Sequence, residues 1–376
     1  MSNTLKVGII GIGILGSQHA RNFSKHEKSQ VVSVADPIET RAEDLAKEVG
    51  AKAYADFQEM LSKEQLDLVV VATPDPLHKE PFLASVNSGV KAILSEKPLA
   101  TTVGDAEEMM EAADKAGVQV YINFANRFNL MDIATKYVMQ QGLIGRPVYG
   151  EIRLDDNISV PTRMWGERTV QWASGSSTAH FLLSHVSDLL RWYLEPAEVE
   201  AVYAISQYEV LKYTPDLYDA FLFWNNGIKT RVKAEWIKHI DSLVEFYICL
   251  GGEKGGIVHH KSPGYGATRG WRATLDRELS SEQLQQAAAA LEAMDVKAKA
   301  EMISDATRNG EGTRGILEIT ESGSKNGTDL FIKSILEDAE CTTPNLSTGK
   351  DGFEAVKIVN AIVESARTGE LVKIQS

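Results

Sequence analysis

The 376-residue sequence predicts an α/β protein with two parts: an N-terminal doubly wound parallel sheet, then a C-terminal α/β domain with a large, open, mostly antiparallel sheet. Three observations carry this expectation. Short apolar runs alternate with helical patterns up to about residue 124, as in a parallel sheet with crossover helices. Beyond residue 146 the runs lengthen and take on period-two alternation, as in strands with one face buried. A glycine-rich hexapeptide, Gly11–Gly16, stands between the first strand and the first helix.

Leu5–Ile10 is an apolar, β-branched run that stops at Gly11, and a helix is expected over Leu15–His26. Gln30–Ala35 is a second strand ending at Asp36, followed by a helix over Thr40–Val49 with Leu45 and Val49 on one face. Asp67–Thr73 is continuously apolar, the pattern of a strand buried on both faces. Leu83–Ser88 then reads as helix, Val90–Ser95 as strand, Ala106–Ala116 as helix and Val118–Asn123 as strand. In the second half, Arg146–Asp155, Glu198–Val210, Ala220–Trp224, Lys229–Trp236 and Val244–Leu250 read as strands, with Asn225-Asn226-Gly227 a hairpin signal. Trp236 and Tyr247 are expected in the core. Ser281–Ala306, rich in Ala, Gln and Glu, reads as an exposed amphipathic helix capped by Ser280 or Ser281, with Leu284, Ala288 and Leu291 on one face. The expected domains are 1–124 and 125–376, with the C-terminal segment able to pack back on the first.

Composition narrows the function. Hydrophobic residues at 43% and charged residues at 24% are those of an ordinary globular chain. The formal charge of −13 argues against nucleic acid or an anionic membrane as partner. Val7–Leu15 is too short and too glycine-rich to span a bilayer, and no signal-peptide cleavage pattern follows it, so a cytoplasmic location is the default expectation. Cys249 and Cys341 are too few for a disulfide framework or a Cys-based zinc site and read as buried, reduced thiols. His259-His260 has no carboxylate at helical spacing, and no metal is expected.

Gly11-Ile12-Gly13-Ile14-Leu15-Gly16 matches G-x-G-x-x-G at a strand-to-helix turn. The first Gly permits the tight turn, the second lets a pyrophosphate approach the backbone, and the third lets the helix pack on the strand. Helix N–H groups and the helix dipole then favour phosphate. Asp36 lies 20 residues after Gly16, at the end of the second strand, where a carboxylate bonds ribose hydroxyls. It would repel a 2′-phosphate, so NAD is favoured over NADP; the nearby Arg41 tempers that preference. Lys97, in Ser95-Glu96-Lys97-Pro98, ends a parallel strand, the edge at which ligands bind in such sheets, and its bond to Pro98 is a candidate cis peptide.

With these residues the chain resembles the glucose–fructose oxidoreductase / inositol dehydrogenase / MocA (Gfo/Idh/MocA) family over most of its length. The resemblance rests on the glycine fingerprint, Ala72-Thr73-Pro74 with His78, Glu96-Lys97-Pro98, Asn126-Arg127-Phe128, Gly142-x-x-Gly145, and a C-terminal segment, Pro344…Gly349-Lys350-Asp351-Gly352…Ser365-Ala366-x-Thr368-Gly369-Glu370. It implies a Rossmann domain, an open sheet that makes dimer or tetramer contacts, and NAD(P)-linked oxidation or reduction of a sugar, cyclitol or related polyol. By resemblance Lys97 lies beside the substrate hydroxyl and the nicotinamide, Thr73, Pro74, His78 and Glu96 line the cofactor site, and Asn126 joins the cofactor residues.

The family usually carries Asp-x-Gly-x-His-x-x-Asp on a helix. Here His185 and Asp188 fit the end of that pattern, but Phe181 stands in place of the first Asp and Leu183 in place of the Gly. The carboxylate that would orient the imidazole is absent. His185 is the first candidate for proton acceptor and His180 the alternative or auxiliary; Asp188 reads as structural. On a regular helix the two histidines, five residues apart, face directions roughly 140° apart, unless a turn near Ser176–Ala179 intervenes. Arg127, Arg163 and Arg168 are candidates to clamp an anionic group, and Trp165 and Trp172 to stack on a sugar. The leading expectation is an NAD-dependent dehydrogenase in which Lys97 stabilises the developing alkoxide. The alternatives are a glycosidase using transient oxidation, elimination and re-reduction, and a non-catalytic dinucleotide-binding sensor.

Overall fold

The computed structural model describes residues 4–262, 270–276, 279–304, 313–319, 321, 323–337 and 345–374. They form two compact units that are each discontinuous in sequence: Met1–Ala125 with Asn326–Asn360, and Asn126–Lys325 with Ala361–Ser376.

The first unit is a seven-stranded sheet. Its parallel strands are β1 (Leu5–Ile10), β2 (Ser29–Ala35), β3 (Lys52–Tyr54), β4 (Leu68–Val71), β5 (Ala92–Ser95) and β6 (Gln119–Ile122), in the order β3-β2-β1-β4-β5-β6. Ser347–Thr348 adds an antiparallel edge beside β6. Every residue of β4 is 0% exposed, which is why its sequence is an unbroken apolar run. The helices are α1 (Ile14–Lys25), α2 (Glu39–Val49), α3 (Phe57–Lys63), α4 (Lys79–Asn87) and α5 (Val103–Ala116). α2 and α5 stop at Gly50 and Gly117, whose φ of +72° and +68° favour glycine. Asp56 caps α3 through the amides of Gln58 and Glu59, and Thr102 caps α5 through that of Asp105. The helix Gly327–Glu337 belongs to this unit: Phe331 packs on the Tyr121 ring at 5.7 Å, and the Tyr121 hydroxyl bonds Ser334 at 2.8 Å. So do residues 349–360 of the helix Gly349–Thr368. β3 and α3 escape the sequence pattern because β3 is three residues long and half-exposed, with no alternation to read.

The second unit carries α6 (Leu130–Gln140), β7 (Pro147–Asn157), α7 (Ser159–Arg163), α8 (Thr169–Gly175) and α9 (Ser184–Leu194). They are followed by β8 (Val199–Gln207), β9 (Leu217–Trp224), β10 (Lys229–Lys238), β11 (Val244–Gly252), β12 (Gly255–Ser262), β13 (Gly270–Leu275), α10 (Ser281–Glu292), β14 (Lys299–Ser304) and β15 (Thr313–Ile319). The ten-stranded sheet runs β14-β15-β13-β12-β11-β7-β10-β9-β8, with Val372–Lys373 at the far edge. The β7–β10 pairing is parallel and the others are antiparallel. The Asn225–Gly227 hairpin forms between β9 and β10, with Gly227 at φ +84°. Register explains the two faces. Val202, Leu222, Thr230, Leu250, Ile257, Ala273 and Leu317 form one buried row, whereas Tyr203, Phe221, Arg231, Glu151, Cys249, Val258, Arg272 and Glu318 form a row on the open face.

Several expectations change here. The helix over Ser281–Ala306 ends at Glu292, and Lys299–Ser304 is a strand, because the Ala-rich run gives way to Lys, Glu and β-pairing with β15. Ser280 is the cap, and Leu284, Ala287 and Leu291 are buried against β14 and β15, with Ala287 in the place expected for Ala288. Tyr247 and Cys249 lie on the open face and are only half-buried, so neither is core. Trp236 is fully buried. Cys341, Pro344 and residues 305–306 lie outside the described residues. No helix among the described residues is long and apolar enough to cross a membrane.

Candidate functional site

At the end of β1 the backbone leaves no room for side chains in two of three glycine positions. Gly11 has φ +87°, and a Cβ there would lie 2.6 Å from the Ala72 carbonyl oxygen. A Cβ on Gly16 would lie 1.8 Å from the Gly11 carbonyl oxygen, so this glycine is what lets α1 start against the strand. Gly13 differs: nothing lies within 4 Å of its absent Cβ. It stands at the N-cap of α1 with no side-chain cap, while Ile12 is buried and Ile14 and Leu15 are exposed. Asp36 is buried and braces the turn. Its carboxylate accepts from the Ile12 amide at 2.8 Å and the Ile38 amide at 2.9 Å, and the Arg41 guanidinium lies 3.6 Å away. The open space at Gly13, the helix N-terminus and the fixed carboxylate fit a dinucleotide: phosphate at Gly11–Gly16, ribose at Asp36.

The ends of β4 and β5 are tied together by His78. Its ring nitrogens lie 2.7 Å from the Pro98 carbonyl oxygen and 2.8 Å from that of Thr73. At 1% exposure it supports the turns carrying Thr73-Pro74 and Lys97-Pro98 rather than presenting a surface to a ligand. The Thr73 hydroxyl donates to the Leu77 carbonyl, and Pro74 is exposed at the start of the following turn. Glu96 is buried. Its Oε1 meets His19 Nε2 at 2.7 Å and accepts from Asn123 Nδ2 at 2.8 Å. Burial pushes the Glu96 carboxyl up, and His19, Asn123 and the Lys97 charge outweigh it and hold it below the usual carboxylate range. Lys97 is 5% exposed and precedes a cis peptide bond to Pro98.

In the second unit, α8 ends at Gly175, and Ala179–Leu183 forms a π turn that runs directly into α9. A π turn closes on the fifth residue and winds more loosely than an α-helix, so His180 and His185 do not sit on one regular helix. His180 Nδ1 lies 2.7 Å from the Ser177 hydroxyl, which also accepts the His180 amide. His185 Nδ1 accepts from Asn126 Nδ2 at 3.3 Å. Phe181, in the place of the usual carboxylate, packs edge-on to Trp172 at 4.9 Å and lies 6.0 Å from Trp236.

Arg127, expected to bind substrate, is corrected: at 2% exposure it makes a two-pronged pair with the fully buried Asp188, at 2.5 Å and 3.0 Å. Trp172 is largely buried in the aromatic cluster, with the half-buried Trp165 against its edge at 5.7 Å. Arg163 and Arg168 are exposed. Asn126, expected among the cofactor residues, has its amide oxygen 2.8 Å from Lys261 Nζ and its amide nitrogen on His185. Lys261, Asp132 and Tyr193 follow no local motif, and His259 enters the sequence reading only as half of a rejected metal pair. Lys261 donates to Asp132 Oδ2 at 2.5 Å, and the Tyr193 hydroxyl donates to Asp132 Oδ1 at 2.6 Å. Burial pushes the Asp132 carboxyl up and the Lys261 ammonium down, each opposed by the other's charge. His259 is fully buried, with Nδ1 3.7 Å from Asp132.

Comparison with known proteins agrees with this architecture. Residues 5–124 match the NAD-binding Rossmann-fold domain of the Gfo/Idh/MocA oxidoreductase family, and residues 136–374 match its C-terminal alpha/beta domain. The chain belongs to this NAD-binding oxidoreductase family. It is 35% identical over 146 residues to an uncharacterized oxidoreductase of Streptococcus pneumoniae, covering 39% of each chain. It is 31% identical over 222 residues to an inositol 2-dehydrogenase of Acidothermus cellulolyticus, covering 58% of this chain and 62% of that one. These matches thus span about two fifths to three fifths of the curated relatives. A levoglucosan dehydrogenase solved with NADH and L-sorbose shares the fold, with a TM-score of 0.77 at 20% identity over 99% of both chains.

Proposed function

We propose that this chain moves a hydride between NAD and a ring hydroxyl of a sugar, sugar derivative or cyclitol. The observation that carries the reading is the buried Lys97 at the carboxyl end of β5, on the same sheet edge as a glycine turn whose Gly13 is open. Burying an ammonium costs several kcal/mol, roughly; the neighbouring Glu96 carboxylate offsets part of it, and the result is a charged donor at the sheet edge where ligands bind. Gly11–Gly16 and Asp36 would hold the cofactor, whose nicotinamide would supply the hydride acceptor for the carbinol hydrogen. Lys97 donates a hydrogen bond to the substrate oxygen and stabilises its developing charge. The hydroxyl proton passes to one of two imidazoles, His180 or His185. Arg163 and Arg168 are exposed and remain candidates for an anionic substituent. The open face of the large sheet, with Tyr149, Tyr203, Ile205, Phe221 and Val258 exposed, supports a homodimer or homotetramer.

The test is nicotinamide absorbance with a panel of sugars, sugar acids, cyclitols and glycosides, with Lys97→Met alongside. NADH from one ring class, lost in the variant, is the expected result. Glycoside cleavage without NADH would replace it with the redox-neutral elimination cycle. Dinucleotide binding with no turnover at all would leave a sensor.

A further inference from the structure

The polar chain around His185 reverses the hydrogen-bonding role of its ring. Lys261 is the fixed point. An ammonium only donates, and this one donates to Asp132 Oδ2 and to Asn126 Oδ1, at 2.5 Å and 2.8 Å. Tyr193 holds the other carboxylate oxygen. The Asn126 amide therefore has its oxygen turned to Lys261 and its nitrogen to His185. An amide nitrogen also only donates, so Nδ1 of His185 must offer its lone pair. A neutral imidazole that accepts at Nδ1 carries its proton on Nε2. Protonating Nδ1 would set two N–H groups against each other.

This is the opposite of a carboxylate partner, which accepts from Nδ1–H and leaves the Nε2 lone pair to take a proton. That carboxylate position is Phe181, turned into the tryptophan cluster. The other charged pair near this turn of α9, Arg127 with Asp188, meets in two-pronged geometry. His180 has a different neighbour. The Ser177 hydroxyl at 2.7 Å can accept as well as donate, so His180 can hold its proton on Nδ1 and leave a lone pair on the buried Nε2.

We propose that Asn126 and Lys261 lock His185 as the Nε2–H tautomer, so that His185 donates a hydrogen bond to the substrate oxygen and His180 is the proton acceptor. A neutral imidazole used as a donor stabilises a developing alkoxide without supplying or taking the proton. Asn126 and Lys261 are positioning residues in this scheme. Its catalytic half rests on the dehydrogenase reading; the tautomer does not.

The test has two arms. Nitrogen-15 NMR of the full chain labelled at histidine, without NAD, reads each ring's tautomer, and His185→Gln assigns the signal. The expected result is protonated Nε2 and unprotonated Nδ1 for neutral His185, moving toward Nδ1–H in Asn126→Asp. Finding Nδ1–H in the native protein overturns the proposal. The second arm uses whichever polyol gives NADH with the native enzyme. Gln retains an N–H donor but cannot accept a proton, so His185→Gln loses about 10-fold in kcat, while His180→Gln loses roughly 1,000-fold. Equal losses, or the reverse order, overturn the assignment. If no polyol turns over, the dehydrogenase reading fails while the NMR arm still decides the tautomer.

Discussion

The glycine turn of the first unit is built from the backbone of six consecutive residues and one carboxylate 24 residues from the amide it holds. The histidine helix of the second is built from side chains: Asn126 reaches His185 across 59 residues, and Lys261 reaches Asn126 across 135. In the turn, chemistry is written into residue type, because only glycine tolerates the φ of Gly11 or the contact at Gly16. On the helix, chemistry depends on which distant group arrives. A turn of the first kind is robust to change elsewhere and intolerant of change within; a helix of the second kind is the reverse.

The largest effect expected from that contrast is at Arg127. Arg127→Met leaves the fully buried Asp188 without its partner, and loss of one member of such a pair costs about 3–5 kcal/mol. Urea unfolding should show it directly. A loss under 1 kcal/mol, roughly the worth of an exposed pair, would show that the long-range contacts of α9 are not what hold it.

Within the turn, two alanine substitutions separate fold from ligand. Gly16→Ala places a Cβ 1.8 Å from a backbone oxygen, so both the thermal midpoint and NADH affinity should fall, the latter by roughly 100-fold, or about 2.7 kcal/mol. Gly13→Ala meets no protein atom within 4 Å, so the midpoint should hold while NADH fluorescence titration shows weaker binding. If Gly13→Ala bound NADH normally, the open space would not be the phosphate's. Asp36→Ser is smaller: about a 10-fold loss of NADH affinity, with the NADH-to-NADPH ratio falling, since the carboxylate that repels a 2′-phosphate is gone.

The same contrast explains what the sequence could disclose. β4, an apolar run with both faces buried, and the fingerprint turn are legible because each rests on neighbours in the chain. Lys97 is legible by its place at a strand end and by its motif. The π turn at Ala179–Leu183 is not, because its hydrogen-bond pattern leaves no periodic signature in five residues. Arg127 reads as an anion clamp until Asp188, 61 residues on, closes on it. Lys261 and Asp132 lie in no motif and take their meaning only from contact with each other, with Tyr193 and with Asn126. Their one advance signal was chemical: a Lys within a β-alternating run, one residue past His259-His260.

His259 gives an effect that pH alone reveals in full, and it isolates a group the side-chain network brings in without using. Its ring is 0% exposed, and among the described residues neither nitrogen has a hydrogen-bond partner. Burial, with the Lys261 and His260 charges, pushes its pKa well below the ordinary 6.5. The sign of the pH dependence follows. Above pH 6.5 the ring is neutral both folded and unfolded and contributes no slope. Below it the unfolded chain takes up a proton that the folded one refuses, so stability falls as pH drops, by up to about 1.4 kcal/mol per unit, until the folded pKa is reached. His259→Leu removes that uptake and the unpaired nitrogens together. Urea unfolding from pH 5 to 8 should show the variant more stable by roughly 1–3 kcal/mol at neutral pH, with the gap widening as pH falls. The other histidines cancel in the difference. A gap that stays constant with pH would mean that His259 gains a proton in the folded state, with Asp132 at 3.7 Å as the partner that allows it.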